Sequence, residues 1–208
     1  MAKDLTLYTN PQSRGRIARW MLEEVGADYE TVVIDYAGAM SGEAYRAVNP
    51  MAKVPAIVHR GRTITECAAI CAYLADAFPD AGMAPALDDR ADYYRWLFFA
   101  AGPVEQAVTN HAVGWDPEAE RQRMFGYGSY DRAIDALEGA VDGLGEGWLT
   151  GARFSAADVY VGAQLSWGTM FGTIPKRPAF VAFAERVQAR PAAIRAAQLD
   201  DALASEQA

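Results

Sequence analysis

Glu66 stands where a short β-prone run gives way to a helical one, Thr65-Glu66-Cys67-Ala68-Ala69-Ile70-Cys71-Ala72-Tyr73-Leu74, with Ile70 and Leu74 on one face. A helix opening here leaves several backbone N–H groups without intrahelical partners, and the helix dipole adds positive potential, so it can hold a carboxylate. The Glu66 carboxylate beside it can take a cation. A carboxylate acceptor next to an ammonium acceptor is what an α-amino-acid zwitterion requires. A glutamate in the first turn also occurs simply because it complements the dipole, so the pairing gains weight only from its surroundings.

Those surroundings are the elements that must position it. Val54-Pro55-Ala56-Ile57-Val58 reads as a strand entered by proline, then comes a tight turn at Arg60-Gly61-Arg62 and a short second strand. Further upstream, Leu5-Thr6-Leu7-Tyr8-Thr9 alternates as a strand and stops at Asn10-Pro11. Ser13 reads as the cap of a helix whose core stripe is Ile17, Met21, Leu22 and Val25, ended by Gly26. Tyr29 to Ile34 is a second strand. Residues 35–50 form a polar connection with one or two helical turns between Ser41 and Val48, stopped at Asn49-Pro50. The order βαβ-ββα suits a mixed sheet with helices on its faces, the arrangement of a thioredoxin-like fold.

Phe78 to Leu87, with Pro79, Gly82 and Pro85, reads as a linker, and no good strand signal follows it. Asp88 to Val113 has helical spacing through Trp96, Leu97, Ala100 and Val104. Asp116-Pro117 starts another helix running to about Val141. Phe154-Ser155-Ala156-Ala157-Asp158-Val159 is a capping-box start, and Pro178 and Pro191 each fit the first turn of a further helix. The expected organisation is an α/β domain over 1–78, a linker over 79–87 and an all-helical domain over 88–208.

The 208 residues suffice for a sizeable core, and 51% hydrophobic with 22% charged residues places the chain in the globular class. A net charge of −8 without any basic run argues against nucleic acid and anionic membranes as partners. Cys67 and Cys71 have neither the redox C-x-x-C spacing nor a metal motif and are expected as small buried residues. His59 and His111 are isolated, so no metal site is expected. No apolar stretch approaches the roughly eighteen residues of a spanning helix, and an untargeted cytoplasmic protein is expected.

Asn49-Pro50, Lys53, Val54-Pro55-Ala56-Ile57, then Thr65-Glu66-Cys67-Ala68-Ala69-Ile70 and Tyr73-Leu74, taken together, closely resemble the N-terminal signature of the cytosolic glutathione transferases, NP-x-G-x-VP-x-L followed by ES-x-A-I-x-x-YL. Ala52 replaces the family's glycine and Cys67 its serine. Phe154-Ser155-Ala156-Ala157-Asp158 matches the buried capping box of the family's helical domain, so the resemblance covers essentially the whole chain.

The resemblance implies glutathione as co-substrate and no further cofactor. It places the γ-glutamyl carboxylate on the helix start at Glu66 and Cys67, the ammonium on Glu66, and the cysteinyl backbone on Val54, with Pro55 cis. Lys53 meets the glycine carboxylate or is an ordinary solvated lysine. Activation of the thiol, whose free pKa is about 8.5, falls to Ser13 or to Asn10, which occupies the family's tyrosine position; Ser13 also reads as a plain N-cap. Tyr8 reads as a strand residue. Phe99, Gly102, Trp115 and Tyr127 are candidates for an electrophile pocket between the domains, although apolar residues at helical spacing are more often core. The implied activity is transfer of glutathione to small electrophiles, with peroxidase activity alongside, in a homodimer. The alternative is a non-catalytic binding or regulatory relative, and a thiol–disulfide oxidoreductase is disfavoured because the first helix begins without cysteine.

Overall fold

The computed structural model describes residues 3–36 and 38–206. Met1, Ala2, Ala37, Gln207 and Ala208, which belong to the expected N-terminal half, the 35–50 connection and the helical half, lie outside them. The chain divides into two compact units, Met1–Met83 with Arg190–Ala208, and Ala84–Ala189.

The first unit runs β1 (Leu5–Thr9), α1 (Gly15–Glu24), β2 (Glu30–Val33), a 3₁₀ turn (Ala39–Ser41), α2 (Glu43–Arg46), β3 (Ala56–His59), β4 (Arg62–Thr65) and α3 (Cys67–Ala77). The sheet order is β2-β1-β3-β4, with β1 and β2 parallel and the other pairs antiparallel, as the expected thioredoxin-like order requires. Parallel pairing of β1 and β2 needs a crossover, which α1 supplies. The two-residue loop Arg60-Gly61 joins β3 to β4 with φ of 52° and 70°, the pair of positive angles that matches strand twist. Leu5, Leu7 and Ile57 on the strands, Ile17, Met21 and Leu22 on α1, and Ile70, Cys71 and Leu74 on α3 form the buried apolar set. Both cysteines are free and buried, as expected.

The second unit is helical: α4 (Ala91–Phe99), α5 (Glu105–Ala112), α6 (Tyr130–Val141), α7 (Ala156–Phe171) and α8 (Pro178–Gln188). Two expected helices are interrupted. Between α4 and α5, residues Ala100–Val104 take a π turn around Pro103, whose missing N–H breaks the regular ladder. The helix expected from Asp116-Pro117 to Val141 is a 3₁₀ turn, Ala119–Met124, then a break at Gly126 and Gly128, the latter at φ +70°, before Ser129 caps α6 by accepting from Arg132 N–H at 3.3 Å. The capping box of α7 is complete: Asp158 Oδ2 accepts from Ser155 N–H at 2.9 Å and from its hydroxyl at 2.8 Å. Gly162 lets α8 come close, since a Cβ there would stand 2.7 Å from Val187 Cγ2.

The last helix, α9 (Pro191–Glu206), starts at its expected proline, yet it packs on α1 in the first unit. The stretch 88–208 is therefore not one packing unit: α9 buries Ala192, Ala193 and Ala196, and ion pairs join it and the preceding Arg190 to α1. Among the described residues no helix is long and apolar enough to cross a membrane.

Candidate functional site

The start of α3 has the geometry that a zwitterion site needs. Glu66 precedes the helix at φ +63°, ψ +114°, an angle pair uncommon outside glycine. The first intrahelical bond runs from Ile70 N–H to Glu66 C=O at 2.8 Å, and no side chain caps the end. The N–H groups of Cys67, Ala68 and Ala69 thus lie ahead of the helical ladder. The Glu66 side chain is exposed and makes no ion pair or hydrogen bond among the described residues. Donors for a carboxylate and an acceptor for an ammonium sit at one helix end.

Asn10 and Ser13 lie at the opposite rim, between β1 and α1. Asn10 is 4% exposed; its Nδ2 donates to Ile34 C=O at 3.0 Å and its Oδ1 accepts from Gln12 N–H at 2.9 Å, so it ties the ends of the parallel strands together. Ser13 is buried, donating from Oγ to Asn10 C=O at 2.7 Å and accepting from Gly15 N–H at 2.9 Å. That second bond satisfies the first N–H of α1, so the capping role is real even though Arg14 is the formal cap residue. The two rims meet through Cys67, whose Sγ donates to Arg14 C=O at 3.6 Å. Its thiol is thereby directed at the segment beside Ser13.

The loop before β3 is held by side chains whose function the sequence did not disclose. Lys53 C=O accepts from Tyr45 Oη at 2.6 Å and from Asn49 Nδ2 at 2.7 Å, while Asn49 Oδ1 accepts from Met51 N–H at 3.1 Å. Burial pushes the Tyr45 hydroxyl up to about 12, which keeps it a neutral donor. The Asn-Pro pair was a signal for a turn, but nothing in its spacing named the carbonyl it would hold. The Val54-Pro55 bond is cis, as the resemblance implied. Val54 follows the clamped carbonyl, half-exposed, and its own N–H and C=O have no backbone partner among the described residues. Lys53 Nζ is exposed and without an ion pair among them. Ala52, in the glycine position of the motif, adopts φ +52°.

The remaining candidates fall in the second unit. Phe99 is half-buried, edge-on to Trp96 at 5.7 Å; Gly102 lies in the π turn; Trp115 is 72% exposed. Tyr127 is 5% exposed and belongs to a small core with Ala107, Ala133, Phe125 and Tyr130, its hydroxyl accepting from Asn110 Nδ2 at 3.0 Å. Its ring packs as core, which is what apolar helical spacing more often means. His59 is buried, stacked on Phe78 and bonded to Tyr73 Oη at 3.0 Å; burial lowers its pKa below 6.5. His111 stacks on Tyr130 at 3.9 Å and pairs with Asp116 at 2.7 Å.

Comparison with known proteins bears on this geometry. Residues 3–76 match the family model of the glutathione S-transferase N-terminal domain. The glutathione S-transferase GstA of Escherichia coli O157:H7 is 26% identical over 97% of this chain and 98% of its own length. A glutathione transferase from Methylococcus capsulatus superposes with a TM-score of 0.74 at 32% identity, over 95% of this chain and 98% of its own. A sphingomonad glutathione S-transferase, solved with glutathione bound, gives 0.75 at 30% identity over 94% and 98%. Agreement of that extent, on a fold and motifs already described, makes this chain a member of the glutathione transferase family.

Proposed function

We propose that this protein is a cytoplasmic glutathione transferase, activating the glutathione thiol for attack on small hydrophobic electrophiles, with glutathione-dependent peroxidase chemistry open to the same thiolate. The supporting observation is the 3.6 Å contact of Cys67 Sγ with Arg14 C=O, which joins the zwitterion corner to the start of α1. In this reading Glu66 takes the γ-glutamyl ammonium, the first N–H groups of α3 its carboxylate, Val54 the cysteinyl backbone and Lys53 the glycine carboxylate. Ser13 then donates to the sulfur. Its hydroxyl turns about one bond, whereas the Asn10 amide is fixed at both ends. That hydrogen bond and the nearby helix start favour the thiolate, the thiol proton passing to solvent. The sulfur forms a bond to the electrophilic carbon, and the leaving group departs with its electron pair.

One observation favours a second reading, a binding or regulatory protein without transfer activity. The Ser13 proton is engaged by Asn10 C=O and the Cys67 thiol by Arg14 C=O, so neither faces a ligand as it stands. Calorimetry and a conjugation assay with a generic aryl halide separate the readings. Glu66→Ala loses a charge-assisted bond of about 1.5–3 kcal/mol, so glutathione affinity falls roughly ten-fold or more. Ser13→Ala then keeps the affinity and slows conjugation. Binding with no conjugation in the wild type establishes the second reading, and no binding at all overturns both. The active assembly in this proposal is a homodimer, and a monomeric mass by light scattering at micromolar concentration counts against it.

A further inference from the structure

Lys53 C=O and Val54 N–H belong to one peptide plane, and across a trans bond they point in opposite directions. Whatever fixes the carbonyl therefore aims the N–H. Two buried side chains fix it, Tyr45 Oη donating at 2.6 Å and Asn49 Nδ2 at 2.7 Å. A carbonyl has two lone pairs, so this pair of donors leaves none to water, although Lys53 itself is exposed. The donors are anchored in turn. The Tyr45 ring packs on Tyr8 of β1 at 5.8 Å, and Tyr8 pairs with Ala56, two residues past Val54. Tyr45 C=O accepts from Asn49 N–H at 2.8 Å, and Asn49 C=O accepts from Ala52 N–H at 2.9 Å. Val54 N–H, on the other side of the same plane, has no backbone partner among the described residues.

We propose that Tyr45 and Asn49 are positioning residues for glutathione: by clamping Lys53 C=O they aim Val54 N–H at the cysteinyl carbonyl of the bound tripeptide. This rests on the reading that Val54 takes the cysteinyl backbone. An unclamped peptide plane in a loop samples several orientations, and binding must then freeze one of them. The clamp meets that ordering cost when the chain folds, before the ligand arrives. Tyr45 and Asn49, 4% and 3% exposed, act through the plane and not by touching the ligand. The γ-glutamyl end, held at Glu66 and the start of α3, does not depend on this plane.

The test uses Tyr45→Phe in the full-length protein, which removes the hydroxyl and keeps the ring against Tyr8. Calorimetry with glutathione reads affinity, and the amide proton shifts of Val54 and of Cys67, Ala68 and Ala69 at saturating glutathione read the two ends of the ligand. The variant binds glutathione about three-fold or more weakly. Its Val54 amide proton moves less than in the wild type, while the amides at the start of α3 move equally in both. Unchanged affinity, an equal Val54 shift, or a loss of shift shared by Val54 and the α3 amides overturns the proposal, the last because it marks general loosening. Should the wild-type Val54 amide stay unmoved while glutathione binds, the assignment of Val54 falls and the clamp with it. No wild-type binding removes the glutathione reading itself. If Tyr45→Phe does not fold, Asn49→Asp, which loses the donor to Lys53 C=O and keeps an acceptor for Met51 N–H, carries the same measurements.

Discussion

Arg19 on α1 and Asp200 on α9 meet at 2.8 Å, Nε donating to Oδ1, with side chains 3% and 0% exposed. Around them Arg16 pairs with Asp201 at 2.7 Å, Arg190 with Glu24 at 2.7 Å, and Arg195 with Glu23. The helix that opens beside Ser13 is thus held along its outer length by the end of the chain.

Asp200→Ala leaves the Arg19 cation buried without its partner, and the expected loss of stability is about 3–5 kcal/mol. Asp201→Ala removes a partner of the half-buried Arg16 from a 68% exposed position, and about 0–1 kcal/mol is expected. Urea unfolding of the two variants checks the contrast; equal losses would show that burial of the Arg19 pair is not what fastens α9.

Burial raises the Asp158 carboxyl from 3.8 to about 6, against the lowering pull of hydrogen bonds from Leu149 and Ser155. The folded state therefore binds this proton more tightly than the unfolded chain. The stability it contributes is fully present below 3.8 and is lost as the pH rises through about 6, by up to about 3 kcal/mol. Asp158→Asn is less stable by about 1–3 kcal/mol, one amide oxygen facing three donors, and lacks this pH step. The readout is the wild-type minus variant difference, which narrows across that window; a constant difference refutes the raised carboxyl.

Ala52 at φ +52° carries the cost of a left-handed non-glycine residue, about 1–2 kcal/mol. Ala52→Gly relieves it but gains unfolded-chain entropy, so a net rise of about 0.5 kcal/mol is expected. Ala52→Val, β-branched at the same angle, goes the other way by about 1–2 kcal/mol. Thermal unfolding that moves both variants in one direction contradicts this.

Gly15→Ala forces a Cβ to 1.9 Å from Thr9 Oγ1. Overpacking of that kind costs about 1–3 kcal/mol, and Thr9→Ala in the same chain should return most of it. Simple additivity of the two losses in a double-mutant cycle would show that the hydroxyl is not the obstacle.

The local chemistry of the chain determined much of this protein in advance. Alternation at Leu5 to Thr9, the stripe from Ile17 to Val25, the hairpin glycine at Gly61 and the Ser155 to Asp158 box each act within a few residues, and so they can be read from spacing alone. The Glu66 corner was legible for the same reason, since a helix start and its acidic neighbour are adjacent in the chain. Tertiary structure decided what depends on partners far apart in sequence. Ion pairs with α1 accompany the packing of α9 on the first unit across more than half the chain; the aromatic ring of Tyr127 joins a small core with Ala107 and Ala133; Gly126 and Gly128 interrupt the helix expected through them, while Pro103 only turns one stretch of helical chain into a π turn. The fate of a hydroxyl is likewise non-local: Ser13 gives its proton to a backbone carbonyl and Thr9 is left buried without one, because β1 and α1 close on each other at Gly15, and only the folded backbone brings those three atoms together.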